Sequence, residues 1–250
     1  MAFNENITLN ARCHCGTFSR SVTIPTLALP LKSALCSCTS CRRVTGQLFA
    51  SFAVIPLPAR PDVSNLTAYA SSSKLTRYFC PYCGASVANF EEAEWELATG
   101  IVEPLTRTDA AGETGGLLNR VLLCLSDTAD GGVALWLDKR RLKFMTDRGK
   151  REANVAEVME MSKKSREELA RPSSSAAESD AENWLRARCH CGSTKFQISR
   201  SSSHDRYPAM LDGCTSCRTA EGFEITSWTR VPLPNCTRLT DHRWISPRPV

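Results

Sequence analysis

The sequence predicts a mostly β fold, followed by a linker helix and an incomplete second β domain. Three observations carry this reading. Short strand-like runs alternate with Gly, Pro and Ser; thirteen cysteines are present, eleven of them in tight Cys-x-Cys or Cys-x-x-Cys groups; and an early segment recurs late in the chain.

The strand-like runs lie around Phe49 to Ile55, Leu75 to Phe79, Trp95 to Val102, Arg120 to Leu125 and Val133 to Leu137, where β-branched and aromatic residues gather. Between the last two, the stretch from Asp127 to Gly132 offers the left-handed turn geometry of a hairpin. From Arg151 to Arg171 the chain turns to Glu, Lys, Ala and Met, with Val155, Val158 and Met159 at helical spacing, until Pro172 and three serines break the pattern. A helix and then a flexible linker are expected there.

The recurrence is detailed. Ala11 to Gly16 reads ARCHCG, and so does Ala187 to Gly192, displaced by 176 positions. The same displacement carries Cys38–Arg42 (CTSCR) onto Cys214–Arg218, Gly46 onto Gly222, and Pro56-Leu57-Pro58 onto Pro232-Leu233-Pro234. It carries Lys74 onto the last residue, Val250, so the second copy ends before the equivalents of Cys80 and Cys83. The expected division is 11–145 for a complete metal-binding domain, 146–183 for helix and linker, and 184–250 for the truncated copy.

Composition narrows the function. The net charge of +5, from 31 basic and 26 acidic residues, is spread along the chain and gives no basic arm for nucleic acid. No apolar run approaches the ~18 residues that would span a bilayer, and the N-terminus lacks the features of a secretion signal. A cytoplasmic protein is expected, in which thiols stay reduced and clustered cysteines serve metal rather than disulfides.

Zinc takes four ligands in a tetrahedron at about 2.3 Å from each sulfur, and structural sites pair two cysteine hooks from distant parts of the chain. Cys13/Cys15 and Cys80/Cys83 are such hooks, each followed by Gly. The middle cluster, Cys36, Cys38 and Cys41, offers three thiolates and leaves a fourth position open, as zinc chemistry requires. The adjacent cations Arg42 and Arg43 would either offset the excess charge of three thiolates on zinc or meet an anionic substrate. Two other readings stay open: a structural second zinc completed by a His or Asp, and an iron–sulfur cluster.

The order Cys-x-Cys-Gly, Cys-x-Cys-x-x-Cys-Arg-Arg-x-x-Gly and Phe-Cys-x-x-Cys-Gly resembles the glutathione-dependent formaldehyde-activating enzyme family, whose domain is shared by centromere protein V. The match spans about residues 11 to 140 and includes Asp127-Thr128-x-Asp130-Gly131-Gly132-x-x-x-Trp136, similar to fungal members. The resemblance implies an Mss4-like β fold binding two zinc ions. Cys13, Cys15, Cys80 and Cys83 would hold a structural one, and Cys36, Cys38 and Cys41 a catalytic one. It further implies the joining of glutathione and formaldehyde to S-(hydroxymethyl)glutathione, a carbon–sulfur lyase reaction on a small thiol. The alternative is a non-enzymatic, zinc-stabilised module that binds a protein partner.

In the second copy Asp212 replaces Cys36 beside Cys214 and Cys217, and Cys189 and Cys191 have lost their partner pair unless Cys236 with His204 or His242 substitutes. A weakly metallated or metal-free remnant is expected, either packed on the first domain or partly disordered. His14 and His190 should point away from metal into solvent. Cys124 reads as a buried strand thiol, and Trp95 and Trp136 as core or pocket walls.

Overall fold

The computed structural model describes residues 6–103, 106–108, 114–128, 132–137, 142–154, 156–160, 163, 184–200 and 207–239. His204 and His242 lie outside them, as do Val155 and all of 164–183.

The architecture is mostly β. An eight-stranded sheet runs in the order Lys143–Phe144, Leu118–Leu123, Leu31–Cys36, Ala50–Ile55, Glu94–Ala98, Ser86–Glu91, Leu75–Phe79 and Thr67–Ala70. Beside it, Asn6–Arg12 lies between Ser19–Pro25 and Val102–Glu103 in a three-stranded antiparallel sheet. Alternation explains the inner faces: Leu9 and Ala11 of one strand and Val22 and Ile24 of the next point into the core, their neighbours outward. That core continues through Phe52, Ile55, Val87, Leu97 and Ile101. A second core packs Leu35 and Leu122 against Leu125, Val133, Phe144 and Val158.

The expected hairpin does not form. Leu118–Leu123 pairs in parallel with Leu31–Cys36 and with Lys143–Phe144, whereas Leu125–Asp127 and Gly132–Leu135 are short 3-10 turns. Val133 and Ala134 are buried in the second core, a placement a free hairpin arm would not give. The run Trp95 to Val102 is likewise broken by the 3-10 turn Thr99–Ile101. Of the expected linker helix, 156–160 is helical; its Val158 is buried and Met159 exposed. Among the described residues no helix is long and apolar enough to cross a membrane.

Helix α1, Thr39–Thr45, starts at Cys38, whose sulfur accepts the Cys41 N–H at 3.3 Å, and stops at Gly46 in the left-handed conformation. Helix α2, Thr215–Glu221, has the same design with Cys214 and Gly222. The later segment packs on the earlier one through contacts that exchange under the 176-residue displacement. His14 N–H donates to the Thr219 carbonyl at 3.0 Å, and His190 N–H donates to the Arg43 carbonyl at 3.1 Å. Leu48 N–H reaches Ser227 Oγ at 3.1 Å, and Glu224 N–H reaches Ser51 Oγ at 3.2 Å. Reciprocal pairs of this kind mark a two-fold, isologous packing, here within one chain.

Candidate metal centres

The first centre is built from two strand ends. After Asn6–Arg12 the chain turns at Gly16 (φ +78°), so that the Phe18 N–H donates to Cys13 Sγ at 3.4 Å. After Leu75–Phe79 it turns at Gly84 (φ +76°), and the amides of Cys83 and Tyr82 donate to the Cys80 sulfur. Both glycines take a conformation that a side chain would strain. Cys15 Sγ stands 3.6 Å from both Cys13 Sγ and Cys80 Sγ, and the four sulfurs all lie within 4.8 Å of one another. A disulfide needs ~2.05 Å, whereas two sulfurs on a tetrahedral zinc stand roughly 3.8 Å apart. Thr17 pulls Cys15 down to about 6, while burial pushes Cys13 up to about 12. Apposed thiols cannot all ionise without a cation among them, so this donor set fits a zinc ion.

The second centre lies where Leu31–Cys36 meets α1. Cys36, Cys38 and Cys41 also place their sulfurs within 4.8 Å of one another, and Cys38, half-buried, is the most accessible. Hydrogen bonds from Cys124, Cys36 and Cys41 pull Cys38 toward thiolate. Two neighbours escaped the sequence reading. Arg77 Nη2 donates to Cys41 Sγ at 3.4 Å, and Cys124 Sγ stands 3.9 Å from Cys36 Sγ. Of the cations the sequence offered, Arg42 is tied to the carbonyls of Ser37 and Asp127 at 2.9 Å each, so it fixes the loop instead of facing a ligand. Arg77, the inward residue of its strand, supplies the compensating charge.

A cavity of about 340 Å³ opens beside Arg77, lined also by Tyr69, Tyr78, Asn89 and His190. Arg77 is 5% exposed, yet its Nε and Nη1 have no partner among the described residues, and neither has Oδ1 of buried Asn89. His190 is not the free surface residue expected: its Nδ1 lies 2.6 Å from the Tyr69 hydroxyl, so the later segment forms part of this cavity's wall. Trp95 packs between Tyr78 and Phe90 as a core side chain should. Trp136, at 65% exposed, is no core residue; it lies at an exposed apolar groove with Met210, Leu211 and Trp228.

In the later segment Asp212, Cys214 and Cys217 form a third group with ligand atoms within 4.8 Å. Cys189 and Cys191 keep their hook, sulfurs 3.5 Å apart, but Cys236 sits in a strand paired with Ile198 and joins no metal-sized group among the described residues.

No curated protein matches the chain. Residues 8–110 match the sequence model of the family described as glutathione-dependent formaldehyde-activating enzyme. The segment holds all seven cysteines of the first two centres on a mostly β scaffold. Over residues 8–110 the chain is thus similar to the glutathione-dependent formaldehyde-activating enzyme family.

Proposed function

We propose that the protein is a cytoplasmic, zinc-dependent enzyme of carbon–sulfur lyase type, similar to S-(hydroxymethyl)glutathione synthase and acting on glutathione with an aldehyde. Residues 11–145 are the catalytic domain, 146–183 the linker and 184–250 a truncated copy. Cys13, Cys15, Cys80 and Cys83 hold a structural zinc, and Cys36, Cys38 and Cys41 hold the second.

The observation that carries this reading is a three-sulfur group linked through Arg77, which donates to Cys41, to a cavity that Arg77 itself lines. A zinc ion held by Cys36, Cys38 and Cys41 would supply Lewis acidity that lowers the pKa of a substrate thiol. The protein does the rest. Arg77 offsets the excess negative charge through Cys41 and lines the cavity in which a glutathione carboxylate would be held. Asn89 lines the same cavity, and the Tyr69–His190 pair closes its outer wall.

Metal content per chain, followed by glutathione titration of the cobalt-substituted protein, tests this. At least two metals with one absorption spectrum perturbed by thiol are expected; no change at any site means closed structural sites. The exposed groove of Trp136, Met210, Leu211 and Trp228 favours the competing reading of a protein-binding module, which that second outcome would support.

Two variants follow. Cys38→Ser should abolish turnover while the first centre keeps its metal and the domain keeps most of its thermal stability; unfolding as severe as that caused by loss of Cys80 would make the middle centre structural. His190→Ala removes one hydrogen bond from the cavity wall, and steady-state kinetics should show a KM for glutathione raised by roughly fivefold, equivalent to about 1 kcal/mol.

A further inference from the structure

The hook of Cys189 and Cys191 repeats that of Cys13 and Cys15 without its partners. Its sulfurs stand 3.5 Å apart, against 3.6 Å in the earlier hook, but among the described residues no third cysteine, histidine or carboxylate completes a metal-sized group around them. Cys191 is exposed and Cys189 half-buried. Each sulfur need move only about 0.7 Å to close the 3.5 Å gap to the ~2.05 Å of a disulfide bond. The residue between them anchors the turn to the earlier segment: His190 N–H donates to the Arg43 carbonyl at 3.1 Å, and its ring meets the Tyr69 hydroxyl.

The two thiols are not equivalent. Ser193 Oγ lies 3.3 Å from Cys191 Sγ, and hydrogen bonding to Ser193 pulls Cys191 down to about 7, so that it carries much of the nucleophilic thiolate form near neutral pH. Cys189 Sγ accepts the Thr194 N–H at 3.2 Å.

The surroundings select the reaction partner. Cys189 lines a cavity of about 820 Å³ whose charged residues are all basic: Arg42, Arg43, Arg186, Arg188 and Lys195. Arg188 stands directly opposite Lys195 across the paired strands Trp184–Arg188 and Lys195–Ser199, a like-charge pairing that is destabilising unless an anion offsets it. A cavity of this size takes a small organic molecule. We propose that Cys189 and Cys191 form a redox-active dithiol, oxidised by a small anionic disulfide that docks in this basic cavity. No metal takes part, and the reading of the middle centre is not required.

Cys191 thiolate attacks one sulfur of the small disulfide, forming a mixed disulfide and releasing the other half as a thiolate. Cys189 loses its proton and attacks Cys191 Sγ, closing the internal disulfide as the second half leaves. Two cysteine thiols are oxidised to one disulfide, one small disulfide is reduced to two thiols, and the two cysteine protons end on those products.

The test uses the full-length protein, with glutathione disulfide as the anionic probe and cystamine as its cationic counterpart. After acid quenching and alkylation, trypsin releases Cys189–Lys195 as one peptide, whose state is read by mass spectrometry. Wild type should yield the internal disulfide, Cys189→Ser should stop at a mixed disulfide on Cys191, and Cys191→Ser should keep Cys189 reduced. A wild-type peptide that retains both thiols, or a Cys189→Ser peptide without adduct, overturns the dithiol. Combining Arg43→Gln with Arg186→Gln spares both cleavage sites and should slow oxidation by glutathione disulfide about fivefold without slowing that by cystamine. An equal effect on both probes, or none on either, overturns the anionic docking. Because the readout is one peptide and not turnover, failure here and failure of the enzymatic reading are separate results.

Discussion

Cys80→Ser is expected to yield a chain with one metal fewer and no folded domain over 8–110. Cys80 is 1% exposed, and its hook and that of Cys13 tie together strand ends that are 67 positions apart in sequence. Both buried sulfurs belong to the main core cluster, so a metal held there would stand where a core side chain otherwise would. Structural zinc contributes about 10–16 kcal/mol in small metal-folded peptides. The whole net stability of a domain is about 5–15 kcal/mol. Removing one thiolate also leaves a tetrahedral zinc one ligand short, beside the still-buried Cys13. Elemental analysis should show the missing metal, and far-UV circular dichroism with a thermal melt should show loss of the cooperative transition. A variant melting like wild type would mean that the four sulfurs are packed without metal. Cys189→Ser is the informative contrast: its hook has no partner pair among the described residues, and the change should alter stability by less than about 0.5 kcal/mol.

The contrast between these hooks shows what the sequence could carry. Ligand spacing is local chemistry: Cys-x-Cys and Cys-x-x-Cys followed by Gly dictate the turn that exposes both sulfurs, and Gly16 and Gly84 adopt the left-handed geometry this needs. The two ligand sets could therefore be separated from spacing alone. Arg77 was missed because an isolated Arg in a strand ordinarily faces water; that it points inward depends on which face of the sheet α1 covers. Cys124 was read as one more residue of an apolar strand, but the strand ends at Leu123, and the 3-10 turns after it replaced the expected hairpin. His190 was assigned to solvent from strand alternation, which is blind to a partner 121 positions away.

The residue least visible in the sequence is Phe223, and its truncation is the second change with a large expected effect. Displacement by 176 maps it onto Gln47, a polar position, so the repeat itself argued against a core role. In the structure Phe223 is 0% exposed and lies edge-on to Phe52, ring centres 5.6 Å apart at 76°, within the same core that holds Cys13 and Cys80. Gly222, just before it, accepts the Gly100 N–H at 2.9 Å, and a Cβ on Gly100 would stand 2.3 Å from Phe223 backbone atoms. The later segment thus completes the core of the earlier one. Phe223→Ala should cost about 3–5 kcal/mol, the transfer and cavity penalty of a large aromatic. In a chain of this size that lowers Tm by roughly 10 °C. Gly100→Ala attacks the same contact from the other side without touching Phe223, and should loosen the packing of 184–239 against the sheet. Urea denaturation of both variants decides the point. Matching losses in a single transition mean that the two segments fold as one unit. A loss under about 1 kcal/mol for Phe223→Ala, with a separate early transition, would mean that the later segment stands apart from the core.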